Sequence, residues 1–196
     1  MARPGWSDYF LRLAYMAATR ATCPRKHVGC LIVDPRNHVI ATGYNGAPSG
    51  LPSCDEVGCD LVDNHCVRTI HSEANAISNA GRLAYNCTVY CTCIPCLDCA
   101  KLITNVGIKK LIYDEDYSSR YGRSSQVAEY LRSAGLEVQQ YDSPMLAMFK
   151  KMLSELTTLE SEVLSTQLVE FACGCTAPAL TARALCPKHE RPRVRE

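Results

Sequence analysis

The 196-residue chain has no excess of charge of either sign: Lys and Arg total 21, Asp and Glu 20, and the formal charge is +1. A protein that grips a polynucleotide through its phosphates normally carries a clear basic excess. The balance therefore points to a small-molecule ligand and away from nucleic acid. The chain also shows no apolar leader, since Met1-Ala2-Arg3-Pro4-Gly5-Trp6 runs straight into an amphipathic segment. No apolar run reaches transmembrane length, so no membrane-spanning helix is expected. Cysteine is plentiful, with 13 residues. An odd count, clustered with histidines and without a secretion signal, predicts a reducing cytoplasm and zinc sites, not a disulfide framework. Isolated residues such as Cys30 and Cys87 read instead as small core hydrophobes.

The stretch from His71 to Cys99 carries the chemistry. His71-Ser72-Glu73 stands at one end and Pro95-Cys96-Leu97-Asp98-Cys99 at the other. One imidazole and two thiolates suit Zn²⁺ and leave a fourth tetrahedral position open. Cys96 and Cys99, at i and i+3, share one face of a helix starting near Pro95. The positive end of that helix favours thiolates. Glu73, two residues past the histidine, is close enough to exchange protons with a water that zinc has made acidic. Cys-x-x-Cys alone is as often a structural zinc corner or a redox pair. His-x-Glu before Pro-Cys-x-x-Cys is the pattern of the zinc deaminases.

Along the chain, Ser7 to Thr19 reads as an amphipathic helix capped by Ser7, with Tyr9, Phe10, Leu13, Tyr15 and Met16 as its stripe. Val28–Asp34 and His38–Gly43 form a hairpin that turns at Asp34-Pro35-Arg36-Asn37. Tyr44-Asn45-Gly46-Ala47-Pro48 follows as a ligand loop or a plain turn. The segment 50–69 is polar and irregular, and a loop of that length needs a staple. A second, structural zinc on Cys23, Cys54, Cys59 and His65, with Cys66 in reserve, would supply one. Helices at 71–80, 95–106 and 124–134 alternate with strands at 88–92, 109–114 and 136–141. The alternation predicts an α/β sandwich with its sheet covered on both faces. The zinc domain is expected to span 1–142 and an extension 143–196. Ser143-Pro144 opens a last helix whose Phe149, Met152, Leu156, Leu159 and Val163 form a coiled-coil-like seam, for packing or for oligomerisation. Beyond it, Cys173, Cys175, Cys186 and His189 have the composition of a small zinc knuckle.

These residues resemble one family, the deoxycytidylate (dCMP) deaminases of the cytidine-deaminase-like fold. The resemblance runs from Trp6 to Tyr141. It rests on Thr42-Gly43-Tyr44-Asn45-Gly46, on His65-Cys66-Val67-Arg68-Thr69-Ile70-His71-Ser72-Glu73 and on Pro95-Cys96-Leu97-Asp98-Cys99-Ala100-Lys101, continued by Gly107-Ile108-Lys109-Lys110. It implies a three-layer α/β/α sandwich around a mixed sheet of about five strands, followed by the C-terminal helix and Cys/His tail. It also implies a zinc hydrolase that converts dCMP to dUMP and ammonia, supplying dUMP for thymidylate synthesis. His71, Cys96 and Cys99 would hold the zinc and Glu73 would carry protons. Ser72 through its backbone N–H, Asn45, Arg82 and Tyr117 would hold the substrate, the last two its 5′-phosphate. Family members commonly form homo-oligomers, hexamers among them, activated by dCTP and inhibited by dTTP, with the effector near Gly43, Tyr44 and Gly46. Cys23 and Cys54 match positions that hold a structural zinc in some members. One departure stands at the site, Ser72 where the family usually has alanine. The competing readings are a deaminase of 5-substituted dCMP or cytidine, and a zinc-stapled module that binds nucleic acid or protein.

Overall fold

The computed structural model describes residues 3–116, 124–166, 168–170 and 176–178. Helix α1 (Trp6–Ala18) leads into the hairpin β1 (Gly29–Val33) and β2 (Val39–Tyr44). A one-turn helix, α2 (Cys54–Val57), and two short paired strands, β3 (Leu61–Val62) and β4 (His65–Cys66), form an insert. Then come α3 (Ser72–Ala80) with a 3-10 turn at Gly81–Ala84, β5 (Thr88–Cys93), α4 (Leu97–Asn105), β6 (Lys110–Glu115), α5 (Ser124–Ser133) and β7 (Glu137–Gln140). Helix α6 (Pro144–Thr166) and a small pair, β8 (Leu168–Glu170) and β9 (Thr176–Pro178), complete the described chain.

The strands order as β2-β1-β5-β6-β7. β1 is antiparallel to both of its neighbours, whereas β5, β6 and β7 run parallel, so the sheet is mixed. Every residue of β1 is buried. Side chains alternate along a strand, so such a strand needs cover on both faces. Cys30 and Ile32 pack with Ala76, Ala100, Ile103 and Leu131 of α3, α4 and α5. Leu31 and Val33 pack with Phe10, Leu11 and Ala14 of α1. The expected α/β/α sandwich is the observed one, and Cys30 and Cys87 are core residues as the sequence suggests.

Two helix starts differ from expectation. α1 begins at Trp6 with Gly5 at its N-cap and no side-chain cap, and the Ser7 hydroxyl bonds Tyr90 on the sheet. α4 begins at Leu97, and Cys96 itself is the N-cap: its sulfur accepts the Cys99 N–H at 3.5 Å. α6 starts where Ser143-Pro144 suggests, with Ser143 Oγ accepting the Leu146 N–H at 3.0 Å.

The chain divides into two units, 1–147 and 148–196. In the first, Leu146 at the start of α6 is fully buried in the α1 layer. In the second, Met152, Leu156, Leu159 and Val163 of the α6 seam are exposed. Among the described residues no helix is long and apolar enough to cross a membrane.

Candidate active site

Helices α3 and α4 begin side by side against the carboxyl end of β5, and their first turns carry the motif residues. His71 is the N-cap of α3, and Ser72 and Glu73 are its first two residues. Cys96 caps α4 and Cys99 follows in its first turn. His71 Nδ1 lies 3.4 Å from Cys96 Sγ and 3.5 Å from Cys99 Sγ. A tetrahedral Zn²⁺ with Zn–N of about 2.0–2.1 Å and Zn–S of about 2.3 Å sets its N and S ligands about 3.5 Å apart. The three atoms fit that ion. Both thiols are buried, whereas His71 keeps an exposed edge.

The electrostatics of the three groups are coupled. Donation from the Cys99 thiol, with His71 beside it, holds the Cys96 thiol down at about 4 against the effect of burial. The hydrogen bond to Cys96 lifts His71 to about 9. Cys99, which shares its proton with Cys96 and is itself buried, is shifted upward. Glu73 is 4% exposed, and burial raises its carboxyl, offset in part by His71 and by hydrogen bonds from Ser72 and its own backbone. Ser72 Oγ donates to Glu73 Oε2 at 2.7 Å.

A cavity of about 460 Å³ opens over this centre, within the range usual for small-ligand sites. His71, Ser72, Glu73, Cys96 and Cys99 form its floor, and Asn45, Arg25, Lys26 and His65 belong to its walls. The backbone N–H groups of the first helical turn have no intrahelical partners, so the Ser72 N–H is available at the floor. Asn45 is buried and fastens the neighbouring wall: its Oδ1 accepts the Val28 N–H at 2.7 Å and its Nδ2 donates to Lys26 O at 2.9 Å. An amide has two donors and two lone pairs, which leaves one of each for a ligand.

Arg82 is not brought to the cavity. It lies in the 3-10 turn after α3, exposed, and a helix of 9 residues puts its ends about 13 Å apart. Tyr117 lies outside the described residues, as do Cys173, Cys175, Cys186 and His189. Sequence reasoning missed the cations that do line the cavity, Arg25 and Lys26. Lys26 Nζ stands 3.4 Å from Glu115 Oε2, and Arg25 Nη2 donates to Asn64 O at 2.8 Å. The signal was their place immediately before β1, opposite the Asn45 loop.

A second cluster sits beside the cavity. The sulfurs of Cys23, Cys54, Cys59 and Cys66 all lie within 4.8 Å of one another. Cys23 and Cys59 are 3.7 Å apart and Cys54 and Cys66 3.5 Å, near the edge of about 3.8 Å that two thiolates make on tetrahedral zinc. Cys66, the reserve, takes the place expected of His65. The two are adjacent in β4 and alternate between its faces; Cys66 is the one whose sulfur joins the other three, and both residues border the cavity. Within the cluster the Cys66 thiol is the acidic member: N–H donation from Arg68 and a hydrogen bond with Cys54 outweigh its burial and bring it to about 7.

The fold sets a His/Cys/Cys group that fits zinc, with a buried glutamate beside it, at paired helix ends, the arrangement of a zinc-binding deaminase domain. Residues 4–115 match the family described as "Cytidine and deoxycytidylate deaminase zinc-binding region". The chain belongs to that zinc-binding deaminase family. It is 38% identical over 157 residues to the deoxycytidylate deaminase of Schizosaccharomyces pombe, covering 75% of this chain and 47% of that protein. With the deoxycytidylate deaminase of Saccharomyces cerevisiae it shares 36% over 159 residues, covering 76% of this chain and 49% of that one. The chain thus spans about half the length of these two relatives. Among solved structures, the dCMP deaminase of cyanophage S-TIM5, in complex with dCMP and dUMP, superposes with a TM-score of 0.60. The identity is 27%, covering 72% of this chain and 100% of that one.

Proposed function

We propose that this protein converts dCMP and water to dUMP and ammonia. The observation that carries the reading is the buried Glu73 beside the His71–Cys96–Cys99 centre on the floor of the 460 Å³ cavity. A zinc ion held by those three residues supplies a Lewis acid that makes water nucleophilic at neutral pH. Glu73 takes the proton of the water that adds to C4 and hands it to N3. It then takes the remaining proton from the C4 hydroxyl and passes it to the amino group, so that the C4–N bond breaks, C4=O forms and ammonia leaves. The Ser72 N–H meets the pyrimidine carbonyl, and Asn45 offers its remaining donor and acceptor to the sugar. Arg25 and Lys26, the described cations of the cavity wall, face the 5′-phosphate in place of Arg82. The balanced overall charge fits one phosphate better than a polynucleotide.

The four-thiol cluster holds a second, structural zinc in this reading. Regulation by dCTP and dTTP through the Gly43–Gly46 loop, and a hexameric assembly, belong to the same reading. A mechanical link supports the regulation, since Gly43 packs directly on the first turn of α3. A cytoplasmic setting fits the ten described cysteines, all free thiols.

Ammonia release from dCMP, CMP, deoxycytidine and 5-methyl-dCMP, with and without dCTP and dTTP, tests the reading. dCMP is expected to be the fast substrate, and Glu73→Ala to keep its zinc while losing roughly 10²–10⁴-fold in kcat. Zinc-loaded protein that leaves every cytosine nucleotide untouched would reject the activity. Near-normal turnover by Glu73→Ala would reject the mechanism.

A further inference from the structure

Residues one apart on a helix do not normally face each other. At the start of α3 they do: the Ser72 hydroxyl reaches Glu73 Oε2 at 2.7 Å, with Ser72 fully buried and Glu73 nearly so. Serine near a helix start usually spends its oxygen on the backbone as a cap. Here the N-cap is His71, and among the described residues the Ser72 hydroxyl bonds the Glu73 carboxylate. A hydroxyl so placed would be costly to leave unpaired, and its bond to an ionised carboxylate is of the strong, charge-assisted kind.

The terminal torsion of a glutamate is soft, with a broad and nearly two-fold profile. The Glu73 backbone N–H also donates to the carboxylate; without the hydroxyl as a second partner the carboxylate plane is free to turn about that single bond, and either oxygen meets the cavity. We infer that Ser72 is a positioning residue for Glu73. Its hydroxyl pins Oε2 and with it the plane of the carboxylate, so that Oε1 alone is presented to the reacting atoms. Ser72 need not touch the substrate through its side chain, because its proton is already directed at Glu73. The inference rests on the reading of Glu73 as the proton carrier and adds the group that aims it.

The test uses the full chain loaded with zinc. Ser72→Ala removes the hydroxyl without adding bulk. Its kcat on dCMP is expected to fall about tenfold, with KM within about twofold and the zinc content unchanged. The same substitution in a Glu73→Gln background is expected to cost nothing further, since the two residues act as one unit. Ser72→Thr, which keeps the hydroxyl, is expected to retain most of the rate. An unchanged kcat in Ser72→Ala overturns the inference, and so does a second full loss in the Glu73→Gln background. A crystal structure of zinc-loaded Ser72→Ala decides independently of turnover. A rotated or doubled Glu73 carboxylate is expected, and one held in the same plane rejects the proposal. Wild-type protein that is inactive on all cytosine nucleotides, yet whose Glu73 turns in Ser72→Ala, would reject the proposed function and leave the positioning role standing.

Discussion

Lys26 is the residue whose role depends most on three dimensions. Its ammonium lies on the cavity wall, and Glu115 holds it from the end of β6 at 3.4 Å. In the proposed reading this cation, with Arg25, attracts the doubly charged phosphate of the substrate, whereas a neutral nucleoside gains nothing from it. Lys26→Ala should therefore raise KM for dCMP roughly tenfold, the size of one charge-assisted hydrogen bond, with KM for deoxycytidine unchanged. Steady-state kinetics on the two substrates checks this, and equal losses on both would assign Lys26 to folding. The contrast with the metal ligands shows what a sequence reveals at this scale. His71, Glu73, Cys96 and Cys99 are legible because each pair acts within one helical turn, so spacing already is geometry. Lys26 and Arg25 meet the cavity only through the pairing of β1 and the Asn45 loop. The choice between His65 and Cys66 is a matter of parity in a two-residue strand, which composition does not encode.

At the scale of elements, β2 and α3 set the position of the catalytic turn. β2 is an edge strand, and α3 fastens to it: Asn75 Nδ2 donates to Tyr44 O at 2.8 Å and Asn79 Nδ2 to Thr42 O at 3.1 Å. Gly43 lets the two backbones approach, for a Cβ there would stand 2.1 Å from Ser72 O and 2.5 Å from Ala76 N. Gly43→Ala should displace the start of α3 and destabilise the fold by about 1–3 kcal/mol, as overpacking does. The expected readout is a Tm lowered by roughly 2–10 °C together with a fall in kcat, since Glu73 rides on the displaced turn. A Tm equal to wild type would mean that the helix moves at no cost. The sandwich itself was legible from the alternation of helical and strand periods, because each period reflects which face is buried. The contact at Gly43 was not, since a glycine that admits a neighbouring backbone looks in sequence like a glycine in a turn. The resemblance placed it at an effector loop, and the packing gives it a structural use first.

For the molecule as a whole, the decisive contrast is between a core that holds itself and a wall that does not. The first unit buries apolar side chains on both faces of its sheet. The insert over residues 50–70 buries only Cys54, while Leu51, Val57, Leu61, Val62 and Val67 stay exposed. Burial stabilises by about 25 cal/mol per Å² of apolar surface, so a segment that buries so little has scant means to offset its ordering entropy. In the proposed reading the four thiols supply the missing constraint, because a structural zinc held by them would contribute folding free energy directly. His65, Cys66, Val67 and Thr69 of this insert line the cavity, so the wall that meets the substrate is expected to depend on the second metal. Cys66→Ser should lose one zinc relative to wild type while His71, Cys96 and Cys99 keep theirs. The sheet should remain folded by circular dichroism, protease should cut first between residues 50 and 70, and KM for dCMP should rise several-fold more than kcat falls. Graded chelation should pass through the same state if the structural zinc leaves first. Zinc counting by mass spectrometry beside limited proteolysis reads both effects. A variant that loses one zinc yet keeps wild-type protease resistance and KM would show that the insert stands without its staple, and would confine the role of metal in substrate binding to the catalytic centre.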